Sequence, residues 1–299
     1  MKTVLHSISY AGLWRNQAFL PLKDFISHAA SLGYDGVEIV CKRPHAGILE
    51  MTHEAVKEIH SALKEHNIEC ASMAAYTDFC SGFGNGLIPI VEMQLIYIRE
   101  IIKLAHEWDC GLVRIFTGYE NVKSPYFAQW NACVEAVREC CRIAAPYGIK
   151  IGIQNHHDIA LDAESLAVFI DEVGYDNCVA MYDPWSPSVQ GYDPIPGLKK
   201  IYHKMAYTTF ADYKAILRSH YYPPLTNYEK DLPMMRACVM GEGTINNKAF
   251  LEALLSLGYD GYVAYELCSD LEGGGKLENL DLCAKKFLDF IRTVVSHHG

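Results

Sequence analysis

The sequence lacks several features that identify common classes of protein. Eleven cysteines are scattered through the 299 residues without a Cys-x-x-Cys pair, so neither a zinc ribbon nor a redox dithiol is indicated. No apolar run approaches the roughly 18 residues that span a bilayer. Residues 1–9 are too short and too polar for a secretory signal. We therefore expect a protein of a reducing, cytoplasmic compartment with no membrane partner.

Positive charge is also in short supply. The chain has 36 acidic and 26 basic side chains, which give a formal net charge of −10 with neutral histidines. Nucleic acids are held largely by neutralisation of their phosphates, so this balance argues against a nucleic-acid partner. Half of the residues are apolar and 21% are charged. That composition provides enough apolar material for a large core.

A regular alternation of strand-like and helical patterns runs through the chain. Each of eight short apolar runs is followed by apolar residues at helical spacing. The runs are residues 3–9, 37–40, 69–75, 112–116, 149–154, 179–182, 205–209 and 262–266. Residues 31–38 (SLGYDGVE) and 256–266 (SLGYDGYVAYE) nearly repeat one another: each ends a helix with Gly and places a Glu on the next strand.

This alternation predicts an α/β fold, a (β/α)8 TIM barrel formed by residues 1–299 as a single domain. The structural alternative is a doubly wound open sheet. Such a sheet usually carries a Gly-rich nucleotide loop after an early strand, and none follows the first strand here. Residues 213–238 are rich in Tyr and Pro and lack a clean period, so we expect an irregular insertion there.

Polar side chains stand at or just after the ends of the predicted strands, where TIM barrels place their reactive groups. They are Glu38, Asp78, Arg114, Gln154, His156, His157, Asp183, Asp212 and Glu266. The densest stretch is residues 151–158 (IGIQNHHD), in which an apolar strand runs into five consecutive polar groups. Buried polar groups must find partners, so this run is expected at the exposed end of a strand, facing a ligand or water.

These residue types suggest metal-assisted proton transfer. Oxygen donors from Gln154, Asp183 and Glu266 suit Mn²⁺, Mg²⁺ or Zn²⁺. A metal ion there would hold the enolate that forms when a C–H next to a carbonyl is deprotonated. His156 is then a base or a substrate clamp, although a hydrogen-bonding role within the loop stays open for both His156 and His157.

Over nearly its whole length the chain resembles the xylose-isomerase-like TIM-barrel superfamily of sugar isomerases, sugar epimerases and related lyases. The resemblance lies in residues 33–40 (GYDGVEIV), 151–158, 240–245 (MGEGTI) and 259–267 (YDGYVAYEL), with Asp183 and Asp212 at two strand ends. It implies a divalent metal held by a Glu, an Asp, a His and a Glu on strands five to eight. Asp183 and Glu266 match this set, but Gln154 and Thr209 stand at the other two positions.

The resemblance predicts a metal-dependent isomerase or epimerase that enolises a ketose or keto-sugar next to its carbonyl, with Mn²⁺ preferred over Mg²⁺ or Zn²⁺. We assign catalysis to His156 and Glu266, and metal binding to Gln154, Asp183 and Glu266. The expected contacts to a small carbohydrate substrate are Glu38, Asp78, Arg114, His157 and Trp185.

Two alternatives stay open. Loss of the strand-five carboxylate favours one-base β-elimination from a 3-keto-glycoside, which resembles the C-glycoside deglycosidases, whose catalytic chain pairs with a small second subunit. The other alternative is a non-catalytic sugar-binding barrel. A homo-oligomer also stays open as an assembly state.

Overall fold

Eight parallel strands form a nearly closed barrel in the computed structural model, which describes residues 1–84 and 86–298. The strands of these residues are β1 (Lys2–His6), β2 (Gly36–Val40), β3 (Glu69–Ala74), β4 (Leu112–Ile115), β5 (Lys150–Gln154), β6 (Cys178–Met181), β7 (Tyr207–Phe210), β8 (Tyr213–Tyr222), β9 (Asn227–Ala237) and β10 (Tyr262–Tyr265). The barrel order is β6-β5-β4-β3-β2-β1-β10-β7. A parallel bridge between Ala180 and Met205 brings β6 next to the start of β7. The predicted single-domain TIM barrel is thereby confirmed.

Helices connect the barrel strands. They are α1 (Leu22–Leu32), α2 (His53–Glu65), α3 (Ile90–Glu107), α4 (Tyr126–Ala144), α5 (Ala163–Val173), α6 (Trp185–Val189), α7 (Leu198–Ile201), α8 (Asn247–Ser256) and α9 (Leu277–His298). Helix α1 buries Phe25 and Ile26 and ends at Gly33, whose φ of 92° is the left-handed conformation that glycine adopts without steric cost. Among the described residues, no helix is long and apolar enough to cross a membrane.

One predicted helix is shorter than expected. The apolar spacing after the run at residues 179–182 predicts a helix over residues 194–203, but the structure has only α7 and a 3-10 turn over Tyr202–Lys204 in that range. Pro196 and Gly197 stand directly before α7. Proline lacks a backbone donor and glycine is a poor helix former, so this pair delays the start of the helix.

The prediction of an irregular segment at residues 213–238 is wrong. Strands β8 and β9 pair there as an antiparallel hairpin that turns at Pro223–Leu225. Pro233 lies where the register shifts, a position in a strand that tolerates a residue without a backbone donor. Most side chains of the hairpin are exposed, so neither face carries the apolar alternation by which a half-buried strand is identified.

Side chains inside the barrel form two layers. The lower layer is an apolar cluster of Val4, Ala71, Leu112, Val179, Met181, Tyr207 and Ala264. Because every second residue of a strand faces the same side, the inward residues of the next layer stand two positions further along. On five strands these are polar: His6, Arg114, Asp183, Thr209 and Glu266. The sheet geometry therefore gathers polar groups at the carboxyl end of the barrel. We call these five residues, together with Glu38 and Gln154, which contact Arg114, the polar layer.

Candidate active site

Arg114 lies inside the polar layer and is 1% exposed. Its Nη1 donates to Oε1 of Gln154 over 2.6 Å, and its Nε is 3.7 Å from Oε1 of Glu38. The guanidinium also lies over two rings, 4.3 Å from the centroid of Phe116 and 4.9 Å from that of Tyr76. Burial by itself lowers the pKa of Arg114, but Tyr76, Glu38 and Glu266 outweigh it and raise that pKa. Arg114 is therefore a fixed internal cation.

Gln154 joins this cation to Asp183. Its Nε2 donates to Oδ2 of Asp183 over 3.1 Å, while its Oε1 accepts from Arg114. Ser186 supplies two further donors to the same carboxylate, its backbone N–H at 2.8 Å and its hydroxyl at 3.2 Å. Burial raises the pKa of Asp183 to about 7, partly opposed by these hydrogen bonds. The ends of β5 and β6 are thus tied together by a buried polar network.

His6 lies between two carboxylates. Its Nε2 is 3.5 Å from Oε1 of Glu266 and 4.0 Å from Oε2 of Glu38. Burial, followed by the positive charge of Arg114, holds the pKa of His6 well below its usual value, so the ring is neutral at neutral pH. Sequence reasoning missed this residue. The available signal was its position two residues after Val4, on the inward face of the first strand.

Glu38 is anchored from below and from the side. Its Oε2 accepts from the hydroxyl of Tyr207 over 3.0 Å, and its Oε1 accepts from that of Ser72 over 3.3 Å. Burial raises the pKa of Glu38 to about 7, although Arg114 opposes the shift. These contacts hold its carboxyl group inside the polar layer.

A cavity of about 860 Å³ lies above the polar layer. Its polar lining includes Lys42, Asp78, His156, His157 and Glu266. Its apolar wall includes Ile88, Ile90, Met93 and Tyr97, from the start of α3 and the residues before it. The ammonium of Lys42 lies 3.6 Å from the centroid of the Tyr76 ring, which is a cation–π distance. Lys42 lines the cavity although it is not among the site residues predicted from the sequence.

His156 and His157 follow β5 in a turn. The backbone N–H of His156 donates to the carbonyl of Gln154, and the two Nδ1 atoms are 3.2 Å apart. Burial lowers the pKa of His156 to about 4 and that of His157 to about 3, with Arg114 adding to both shifts. Both rings are therefore neutral at neutral pH. Their Nδ1–Nδ1 hydrogen bond uses the lone pair of one ring, so the ring that donates keeps a free lone pair on Nε2.

A stacked column runs from the polar layer to the rim of the cavity. The ring of Phe116 has the guanidinium of Arg114 on one side, and its centroid is 4.3 Å from that of His157. Tyr119 stacks on His157 at 3.8 Å between centroids. Trp185 meets His156 edge-on at 5.0 Å. These contacts fix the two imidazoles in place.

Eight of the predicted site residues fall into two groups, and Trp185 and Asp212 belong to neither. His156, His157, Asp78 and Glu266 line the cavity. Below them, Glu38, Arg114, Gln154 and Asp183 form the buried network. Oδ1 of Asp78 accepts from the backbone N–H groups of Cys80 and Tyr119, so this carboxylate also orders two loops. The predicted roles of these residues in binding and catalysis stay predictions.

Comparison with known proteins identifies the family to which this barrel belongs. The sequence model of the xylose isomerase-like TIM barrel family matches residues 26–291. The chain belongs to this family. The fructoselysine 3-epimerase of Shigella flexneri is 22% identical over 256 residues, which cover 83% of this chain and 86% of the relative.

Solved structures of other proteins share the fold. D-psicose 3-epimerase from Clostridium cellulolyticum H10, solved with D-tagatose, has a TM-score of 0.74 at 17% identity, covering 98% of this chain and 99% of that one. A xylose isomerase-like TIM barrel protein from Mycobacterium smegmatis in complex with magnesium has a TM-score of 0.66 at 16% identity, covering 100% and 98%. At these identities the likeness establishes the fold alone.

The positions that the family resemblance assigns to a metal do not fit a divalent ion in this family member. Gln154 replaces a carboxylate, and its oxygen faces a cation. Thr209 offers a neutral hydroxyl in place of an imidazole. The described residues include no group of three or more His, Cys, Asp or Glu side chains arranged to hold a metal ion. The predicted ligand set of Gln154, Asp183 and Glu266 therefore lacks support from this arrangement.

Two groups that line the cavity have unused hydrogen-bonding capacity. Within the described residues, no hydrogen-bond partner reaches Oε2 of Glu266 or the hydroxyl of Tyr76. Nε1 of Trp185, which packs against His156, also lacks a hydrogen-bond partner among the described residues. Buried polar atoms are costly unless they are paired, so such atoms suit a ligand rich in hydroxyl groups.

Proposed function

We propose that this protein is an enzyme acting on a carbohydrate, and that it enolises a keto-sugar at the carbon next to its carbonyl. The result would be epimerisation or isomerisation. The observation that carries the proposal is that Glu266 and His156 line one cavity from well-separated strands of the barrel. The names of the relatives, fructoselysine 3-epimerase and D-psicose 3-epimerase, point to the same class of reaction.

Two separated groups suit a proton that leaves one face of a carbon and returns to the other. Glu266 follows β10 and His156 follows β5, with β6 and β7 between them on one side and four strands on the other. Glu266 has a carboxylate oxygen without a partner among the described residues. Burial lowers the pKa of His156 to about 4, so its ring is neutral at neutral pH and can take the proton from the substrate carbon as the base. The carboxyl group of Glu266 then donates the proton that returns to the opposite face and is left as the carboxylate.

The enolate needs positive charge near its oxygen. Lys42 supplies it, because its ammonium lies over Tyr76 and faces the same cavity as Glu266. A preorganised cation at the position where negative charge develops lowers the barrier more than the same group does in water. Lys42 is therefore the residue that we assign to the carbonyl oxygen.

The cavity suggests a sugar that carries an apolar substituent. A volume of about 860 Å³ is near the upper end of the usual range for small-molecule sites, roughly 300 to 1,000 Å³. The lining combines polar groups with an apolar wall that includes Ile88, Ile90 and Met93. Sugar hydroxyls would meet the unpartnered polar atoms, and the substituent would rest on this wall. The same arrangement favours β-elimination of the substituent as a second candidate reaction.

The predictions about the metal ion, the cellular location and the assembly state are more specific than these observations support. A manganese ion stays a prediction that the donor set does not support. A cytoplasmic location also stays a prediction, as do a homo-oligomer, a small second subunit and a non-catalytic sugar-binding role.

The test is solvent exchange at the substrate carbon. Purified protein is incubated in D₂O with a panel of ketoses, N-substituted ketosamines and 3-keto-glycosides, and the products are followed by proton NMR. We expect deuterium at the carbon next to the carbonyl, with an epimer, an isomer or a released substituent identifying the reaction. His156→Ala should slow the exchange by roughly 10² to 10⁴, whereas His53→Ala, at an exposed position on α2, should not. No exchange with any member of the panel would contradict the proposal.

A further inference from the structure

The polar layer contains its own cation. Arg114 comes from the middle of β4 and reaches the side chains of β2 and β5, contacting Glu38 and Gln154. Nη2 has a longer contact of 3.5 Å to the carbonyl of Ala75, and the two rings beside the guanidinium restrict its movement. It is 1% exposed. This charge is therefore held in place on several sides within the barrel.

The orientation of Gln154 depends on that cation. A carboxamide has one acceptor atom and one donor atom, and the two ends are fixed here by different partners. Arg114 donates to the oxygen, so the nitrogen faces Asp183 and donates to it. A metal ion at Asp183 would meet the amide nitrogen of Gln154, which is a donor and not a ligand. The amide of Gln154 and the guanidinium of Arg114 therefore both disfavour binding of a second cation at Asp183.

The charges of the layer are complementary to a guanidinium. Glu38 approaches Nε, and Glu266 lies near enough to stabilise the charged form of Arg114 electrostatically. A divalent ion added beside Asp183 and Glu266 would be repelled by Arg114 at short range in a buried site, where screening is weak. Removing the cation would leave carboxyl groups of three strands facing one another without a counter-charge.

We propose that Arg114 is the resident cation of the barrel mouth in place of a divalent metal ion, and that this family member works without one. Arg114 is a positioning residue, since it acts through Glu38, Gln154 and Glu266 and does not itself line the cavity. The catalytic part of this inference rests on the proposed carbohydrate chemistry. Its metal-binding part does not, because it concerns the polar layer alone.

The first test is a metal titration of the wild-type protein. The protein is dialysed against EDTA and then titrated with MnCl₂ while the electron paramagnetic resonance signal of free Mn²⁺ is recorded. We expect no stoichiometric site with a Kd below about 1 mM, and no shift of the thermal midpoint with Mn²⁺ or EDTA. Stoichiometric uptake with a Kd of about 10 μM or lower, abolished in Asp183→Asn, would overturn the proposal.

A second test restores the ligand set that the family resemblance implies. The triple variant Arg114→Met/Gln154→Glu/Thr209→His has four candidate ligands and no internal cation. The double variant Gln154→Glu/Thr209→His keeps Arg114 and serves as the matched control. We expect the triple variant to bind Mn²⁺ at least about tenfold more tightly than the double variant. Equal affinities would overturn the assignment of metal exclusion to Arg114.

The two proposals fail separately. Mn²⁺ binding by the wild-type protein would remove the resident-cation role and leave the enolisation test standing. Absence of solvent exchange in D₂O would remove the proposed chemistry and leave the metal titration unaffected. Should the triple variant fail to fold, the wild-type titration still decides the inference.

Discussion

Gln154 donates a hydrogen bond of 3.1 Å to the buried carboxylate of Asp183, and this contact links the ends of two neighbouring barrel strands. A glutamate at position 154 would place a second carboxylate in that contact. Two carboxylates at such a distance do not both ionise without cost, and one of them takes up a proton. Whether residue 154 presents an amide N–H or a carboxylate oxygen to Asp183 therefore controls the net charge of the polar layer.

The first prediction concerns the stability of Gln154→Glu. A new ion pair with Arg114 offsets part of the cost, but the lost donor and the like charges leave a net loss on the order of 1 to 3 kcal/mol at pH 8. The loss should shrink towards pH 5, because protonation of the carboxyl pair relieves the repulsion. Urea unfolding from pH 5 to 8 measures it, with Gln190→Glu at an exposed position as the control. A loss that does not change with pH would mean that the new carboxylate does not face Asp183.

The second prediction concerns Arg114→Met. A buried ion pair that loses one member leaves the other charge uncompensated, which typically costs about 3 to 5 kcal/mol. Here Glu38 loses its cation and Gln154 loses its donor. The exposed Arg99 is the matched control, and Arg99→Met should change the free energy of unfolding by less than about 0.5 kcal/mol. Equal urea midpoints for the two variants would show that Arg114 contributes little to stability.

The third prediction concerns the pH dependence of stability through His157. Burial holds the pKa of His157 at about 3 in the folded chain, against about 6.5 for an unperturbed histidine. The unfolded chain therefore binds a proton that the folded chain rejects, and stability falls as the pH drops from 6.5 towards 3. At pH 5 the loss from this group is about 2 kcal/mol.

His157→Phe keeps a ring between Phe116 and Tyr119 but cannot titrate. Its urea midpoint should decline less steeply between pH 7 and pH 5 than that of the wild-type protein. Exposed His53 is the control position, and His53→Phe should leave the slope unchanged. Parallel curves for wild type and His157→Phe would mean that His157 titrates normally in the folded chain.

Much of the fold could be predicted from the sequence, because buried parallel strands and amphipathic helices leave different periods. The strand ends then identified Glu38, Arg114, Asp183 and Glu266, since a strand fixes which residues face inwards. The hairpin formed by β8 and β9 was missed for the opposite reason. Its side chains are largely exposed on both faces, so burial imposes no pattern on them.

The partners within the site could not be predicted in the same way. The role of Gln154 depends on Arg114, which is 40 residues away in the chain and on a neighbouring strand. Sequence alone gives the position of each side chain on its own strand but not the direction of an amide. The conclusion that Gln154 faces a cation, where a metal ligand was expected, required the packing of β4 against β5.

The last prediction concerns Lys42, whose ammonium faces the cavity above the ring of Tyr76. If it stabilises the enolate oxygen, Lys42→Met should lower kcat by roughly 10²-fold or more, which is the usual effect of removing one such group. Lys42→Arg keeps the charge and should recover part of the rate. Lys57→Met on the exposed side of α2 is the matched control and should leave kcat unchanged. Initial rates of deuterium incorporation measure all three variants. A decrease in affinity with kcat unaltered would mean that Lys42 binds the ground state and the transition state equally well.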